Sequence, residues 1–242
     1  MLFVIEQPVY ITPIKSIIEH MIIGLVLLGL VAVLLFFGIA ERVFKSFGVA
    51  YWLAFVMIAV LIGCAFIPTF TVGTVQFNVA GFFAPLLFAA VFFALAFRMR
   101  EVRRALVVTS VTAALFISVW LLIAPITSST VCVIIIGFLC GAVDYLVGKT
   151  KIAALCGIFL GMPIGDVVSS AVGMYVYKTP LRFGSPAAFN AIILAAVTAV
   201  VIFESVAAIK RTMNHRAGQK AKADAEIAEE FDPDEYKKYF DK

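Results

Sequence analysis

The sequence predicts an all-α integral membrane protein of about seven transmembrane helices, N-terminus outside and C-terminus inside, with short hairpin-like outer loops. Three observations lead there: composition, the spacing of apolar runs, and the placement of basic residues. Of the 242 residues, 63% are hydrophobic and 14% charged, with a mean hydropathy of +1.08. A soluble domain averages roughly 45–50% apolar and about 25% charged. A water-soluble core of this size cannot hide so much apolar surface, which excludes a soluble enzyme, and 23 phenylalanines exclude disorder.

A spanning helix needs about 20 mostly apolar residues. Seven stretches qualify: Met21–Ala40, Ala50–Ile67, Gly81–Phe97, Ala105–Ala124, Val131–Val147, Ile152–Val172 and Ala187–Ala208. Residues 1–20 do not read as a cleavable signal, because Glu6 comes early and Pro8 and Pro13 interrupt the run. They read as an interfacial lead-in to a transmembrane domain over residues 21–208, which a charged cytoplasmic tail follows over 209–242.

Orientation follows from the basic residues, which are retained on the cytoplasmic side. Arg42 and Lys45, then Arg98, Arg100, Arg103 and Arg104, then Lys149 and Lys151 fall in alternate connections. Lys210, Arg211, Arg216, Lys220 and Lys222 follow the last run, whereas Lys15, Lys178 and Arg182 are the only basic residues on the other side. Thirteen against three places the cell membrane's inner face at the tail. The net charge of +4 is dispersed among these clusters, which speaks for a lipid bilayer and against nucleic acid. The four cysteines lie inside apolar runs, with no CxxC, and only two histidines occur. Neither a disulfide framework nor a metal site is expected, and nothing in the sequence calls for a cofactor.

Two outer connections have local character. Thr69–Asn78 reads TFTVGTVQFN, with β-branched residues around Gly73 as in a small hairpin. Gly173–Pro186 reads GMYVYKTPLRFGSP, in which prolines and Gly184 break any helix and two tyrosines suit the interface. Either two short hairpins cap the outer face or these are ordinary loops. Ala217–Glu230 has helix-forming composition with a thin apolar stripe, and FDPDEYKKYF beyond it is a solvated tail or a docking motif for a protein partner.

Ionisable residues inside spans are the functional candidates, since each costs about 2.5–3.5 kcal/mol at a helix centre on insertion scales. Asp144 sits ~5 Å and Glu204 ~6 Å from the inner ends of their runs by the helical rise. Both are expected to reach water or Lys149, Lys151 and Lys210, as secondary inner-face candidates. Asp166 lies ~21 Å from the inner end and ~9 Å from the outer. Pro163 frees the carbonyl of Phe159 and predicts a kink there. Gly157, Gly161, Gly165, Ser169 and Gly173 recur every fourth residue, a face on which a second helix can approach closely, and Gly137 and Gly141 offer a similar one. The sixth helix is thus expected to be central, kinked and tightly packed. Asn190, ~5 Å into the last helix, is an expected partner of Asp166, and Arg182 can add charge if its loop folds inward. Asp166, Asn190, Ser169 and, from the first outer connection, Asn78 are the candidates for binding a small solute or a proton.

Asp144 with Gly165-Asp166 loosely resembles the intramembrane aspartyl proteases. That chemistry needs two carboxylates that share a proton, and the depths above differ by ~16 Å. The stretches FIPTF at 66–70, FNVAGFFAPLLFA at 77–89, ALCGIFLGMPIGD at 154–166 and GSPAAFNAIILAAV at 184–197 also form an ordered set. They resemble the motif blocks of a bacterial and archaeal membrane family catalogued as domain of unknown function 1614, over residues 24 to 205. In that family the glycine-rich block ends in an alanine-aspartate pair and the last helix opens with phenylalanine-aspartate-glycine. Here these are Gly165-Asp166 and Phe189-Asn190-Ala191, so one acid is kept and the other is an amide. The resemblance implies a helical membrane fold and brings no activity with it.

Three functions fit: a small-solute or ion permease with a polar site at Asp166, a hydrolase using Asp144 and Asp166, or a non-catalytic scaffold whose tail docks a partner. Topology is checked directly. A reporter fused after Lys242 is expected in the cytoplasm and one inserted at Gly73 outside; both on one side would overturn the seven-span reading.

Overall fold

A computed structural model describes residues 10–11, 14–37 and 51–230. Seven helices and four short strands occur in this part. Strand β1 (Tyr10–Ile11) precedes α1 (Ile14–Phe36), and α2 (Tyr51–Ala65) leads into β2 (Phe70–Val72) and β3 (Val75–Phe77). Helix α3 begins with a π turn (Val79–Phe83) and continues as Ala84–Arg98. Then come α4 (Val102–Ile123) and α5 (Ser129–Gly148). Helix α6 is composite, with α-helical Lys151–Cys156, a π turn at Gly157–Gly161 and α-helical Met162–Tyr177. Strand β4 (Leu181–Phe183) and α7 (Pro186–Glu230) complete the order.

Five of these helices are long and apolar enough to cross a membrane: Val79–Arg98, Val102–Ile123, Ser129–Gly148, Lys151–Val176 and Pro186–Gln219. Met21–Phe36 and Trp52–Ala65 are shorter apolar helices. Large apolar side chains such as Phe97, Leu122, Phe138 and Val201 point outward, as helices with lipid for a solvent require. The architecture is that of a helical, multi-pass membrane protein. The chain divides into two compact units, Met1–Ile202 and Phe203–Lys242.

The first hairpin forms as its sequence suggests. Gly73 takes a φ of +63° at the first of two loop positions, and β2 and β3 pair antiparallel with Phe70 opposite Phe77. The second outer connection departs from expectation. It contributes the single strand β4, which lies parallel to β3 with Phe77 opposite Phe183, instead of a hairpin. Strand β1, inside the stretch expected to be an interfacial lead-in, pairs with β2, giving the order β1-β2-β3-β4. Phe70, Phe77 and Phe183 stack along this sheet at centroid distances of 5.5 and 5.2 Å. The expectation of an all-helical chain with simple outer loops therefore gains a small sheet, because the segment before α1 supplies one extended run, the first outer connection two and the second outer connection one.

Helix boundaries also shift. Helix α6 runs five residues past the expected Val172, so Tyr175 belongs to its last turns, and Lys178 ends it in the left-handed conformation at φ 56°. Helix α7 extends through the tail to Glu230, with side chains exposed from Ala208 to Gln219. Arg42, Lys45 and the FDPDEYKKYF stretch lie outside the described residues.

Helix α6 is the centre of its unit. Of its apolar stretch 78% is buried, against 22–44% for the other four long helices. Pro163 has no amide hydrogen for Phe159, and the turn before it widens to π form, so the predicted kink site is a change of helical winding. The glycine face then meets α4. A Cβ on Gly157 would run into Val108, one on Gly161 would sit 2.6 Å from the Thr109 carbonyl oxygen, and one on Gly165 2.9 Å from Phe116. Gly137 and Gly141 of α5 do the same against α7, at 2.7 Å from Leu194 and from the Ala195 carbonyl. On its other side Phe159 stacks on Phe92, 5.6 Å away.

Because the atom nearest to Gly161 is the backbone oxygen of Thr109, it cannot swing aside. Gly161→Ala is expected to cost about 1–3 kcal/mol and Gly161→Leu more. Gly63→Ala, with nothing within 4 Å of the added carbon, serves as the control in thermal unfolding in detergent. Equal midpoints for the Gly161 and Gly63 variants would contradict this packing.

Candidate functional site

Asp166 stands on α6 one turn beyond the π segment, only 5% exposed. Its expected partner was Asn190. Instead the hydrogen bond comes from Ser185, whose hydroxyl donates to Asp166 Oδ1 at 3.0 Å. The same hydroxyl oxygen accepts the Ala188 amide at 3.0 Å, which makes Ser185 the cap of α7. Asn190 serves α1: its Oδ1 accepts the Gly24 amide at 2.8 Å, where Asn190 and Phe189 crowd Gly24 too closely for any side chain. Position explains the exchange, since a buried acid is best met by a donor that arrives in the loop, while Asn190 is already turned toward α1.

A cavity of about 310 Å³ opens beside Asp166 at the sheet end of the bundle. Its polar wall is Asp166, Ser169 and Ser170 from α6 with Thr179, Arg182 and Ser185 from the β4 connection. Its apolar wall is Trp120, Leu121, Ala124 and Pro125 from the end of α4 and the turn after it. Two polar atoms on the first wall have no partner in the protein: Asp166 Oδ2 and Ser169 Oγ, the latter on a residue 3% exposed. The Arg182 amide donates to Ser170 Oγ at 2.7 Å, which fixes the β4 connection against α6. Arg182 and Asp166 line one cavity without forming an ion pair.

The other sequence candidates have other tasks. Asn78, fully buried, caps the π turn of α3 by accepting the Gly81 amide at 2.8 Å and donates to Thr69 Oγ1 at 2.9 Å. It is not part of the cavity wall. Asp144 was expected near water at the inner end; it is fully buried between α5 and α4, with Thr112 Oγ1 2.6 Å from its Oδ1. Thr112 lies on the α4 face that packs against α6, so the acid turns into the bundle instead of out of it. Glu204 is half-buried and belongs to the second compact unit. Among the described residues no three His, Cys, Asp or Glu side chains converge as metal ligands.

Ser185, Ser170, Thr179 and Trp120 were not singled out by the sequence. For Ser185 a signal existed, because a serine directly before a proline that opens an apolar helix is an N-cap followed by proline at the first helical position. For the others none did, since small polar residues in a connection acquire meaning only when the connection folds over a cavity.

No family model matches this chain, and no curated protein or solved structure matches it significantly.

The link from Ser185 to Asp166 is measurable. Ser185→Ala removes a helix cap and the donor to a buried acid, and is expected to lower stability by about 1–2 kcal/mol. A double-mutant cycle with Asp166→Leu in thermal unfolding isolates the pair, with a coupling of about 0.5–3 kcal/mol expected. Strict additivity would mean that the hydrogen bond contributes nothing.

Proposed function

We propose that this chain is a small-solute permease of the cell membrane, with seven spans, the sheet end outside and the tail helix in the cytoplasm. The supporting observation is a pair of buried polar atoms, Asp166 Oδ2 and Ser169 Oγ, that have no partner in the protein and belong to residues lining a cavity. A buried acceptor left unmet costs about 1–3 kcal/mol. That cost is offset if a bound solute supplies the missing donors. A polar cavity beside a helix of altered winding is also how transporters build sites within the bilayer, where irregular backbone is confined to protein interior or cavity walls. The seven-span reading adds α1 and α2, whose apolar stretches are shorter than the other five. The proposed topology rests on the basic clusters at Arg98–Arg104 and Lys149–Lys151.

The motif blocks around Pro68, Pro163 and Pro186 support placing the chain near the family of domain 1614, also as a proposal. The scaffold reading is supported less directly: Asp144 Oδ2, inside the bundle and away from the cavity, is likewise without a partner, so it is the place of Asp166 and Ser169 on a cavity wall that favours a solute. The hydrolase reading has no observation in its favour: Asp144 is bonded to Thr112, Asp166 to Ser185, and Asp144 is not part of the cavity wall.

The test is uptake of a panel of labelled amino acids, sugars, polyols and organic acids by vesicles reconstituted with the full chain. Asp166→Asn preserves shape and the bond from Ser185, so it is expected to keep thermal stability within about 0.5 kcal/mol while lowering uptake at least tenfold. Asp166→Leu is expected to lower both. Equal uptake by all three proteins, or by empty vesicles, would overturn the permease reading.

A further inference from the structure

The composition of the cavity wall narrows what it can hold. One face carries a carboxylate, Asp166, and another a guanidinium, Arg182, both on the same cavity and not paired with each other. Were they in contact, the cavity would present a neutralised ion pair and only hydroxyls to a solute. Held apart, they present two poles. The carboxylate pole has an acceptor atom without a partner, Oδ2, and beside it the unpartnered hydroxyl of Ser169. The guanidinium pole offers up to five N–H donors and no acceptor. The same cavity is lined by Trp120, Leu121, Ala124 and Pro125, with Trp120 stacked on Phe116 at 6.0 Å.

A ligand with a single charge contacts one pole and leaves the other with no counter-charge in contact, which is unfavourable in a partly buried site. An uncharged polyol leaves both. A ligand that carries a donor-rich cation and an acceptor-rich anion a few bonds apart satisfies both poles at once, and an apolar remainder can lie on the tryptophan wall. A volume of about 310 Å³ stands at the lower limit for small-molecule pockets, so the ligand is small.

We propose that the cavity between α4, α6 and the β4 connection binds a small zwitterion with an apolar side chain, of the α-amino-acid class, its ammonium group on Asp166 and Ser169 and its carboxylate on Arg182. This rests on the permease reading for the direction of access but not for the chemistry of binding.

The experiment uses the full chain purified in detergent and three probes of one carbon skeleton: L-leucine, 4-methylpentanoate, which lacks the ammonium, and 3-methylbutylamine, which lacks the carboxylate. Calorimetry is expected to show leucine binding at least tenfold tighter than either half-charged probe. Asp166→Asn should abolish the advantage over 4-methylpentanoate and keep the advantage over the amine. Arg182→Gln should do the reverse, and unliganded thermal midpoints establish that both variants fold. A half-charged probe that binds as well as leucine would overturn the proposal, as would an unchanged preference in both variants or no binding of any probe. Ser169→Cys separates this from the wider reading. In sealed cells, labelling of that cysteine above the wild-type level by a membrane-impermeant thiol reagent applied outside keeps the outward cavity even if the zwitterion fails. No labelling above that level overturns the outward-facing permease as well, and protection of the cysteine by leucine supports both.

Discussion

The close approach of α6 to α4 is the constraint on which the unit depends. Three glycines, spaced by one turn and by another, leave no volume between Gly161 and the Thr109 carbonyl or between Gly157 and Val108. In lipid, where apolar side chains gain little by leaving one hydrocarbon for another, such backbone contact is what holds helices together. It fixes the height of α6 relative to α4. Height in turn decides that Asp166 stands beside the Trp120 end of α4, while Thr112, a little over two turns below Trp120, meets Asp144 of α5.

The sheet end is assembled by a second set of close approaches. A carbon on Gly81 would lie 2.6 Å from the Ser185 carbonyl oxygen, and one on Gly184, at φ +80°, 2.7 Å from the Phe82 amide. The start of α3 is thereby pressed against the loop that delivers Ser185. The Asn78 amide donates to the Phe183 carbonyl at 3.0 Å, so β3 hands over to α3 and β4 to α7 at the same point. Two helix caps, Asn78 and Ser185, sit within this knot. One also ties down the Thr69 hydroxyl; the other also serves the buried acid.

The apolar helices were legible in the sequence because the bilayer imposes one dominant requirement, a run of apolar residues of fixed length. The described helices overlap all seven expected runs, and the five that reach membrane length by themselves are the last five. The glycine face was legible too, since period and residue size together carry its meaning. Partners were not. Asn190 and Asp166 look like neighbours on a line drawn through the bilayer, yet rotation about the helix axis turns Asn190 toward Gly24. Asp144 looked close to water when measured along its helix, but depth along an axis says nothing about which face a side chain occupies. The single strand β4 was hidden for a similar reason: a three-residue parallel strand exists only because β3 is already beside it.

The π turn at Gly157–Gly161 contains one residue more than an α-helical path would need. Each residue of an α-helix advances the chain by about 100°. That one extra residue therefore sets the rotational phase of everything beyond it, including the face on which Asp166 and Ser169 look toward the cavity. Substitutions in the cavity wall alter its chemistry one group at a time. A deletion of a single residue in this turn, which is outside the cavity lining, would rotate the α6 part of the wall, Asp166, Ser169 and Ser170, away together. In a lineage of such chains, the binding face would then be inherited through the count of residues between Cys156 and Met162 as much as through their identity.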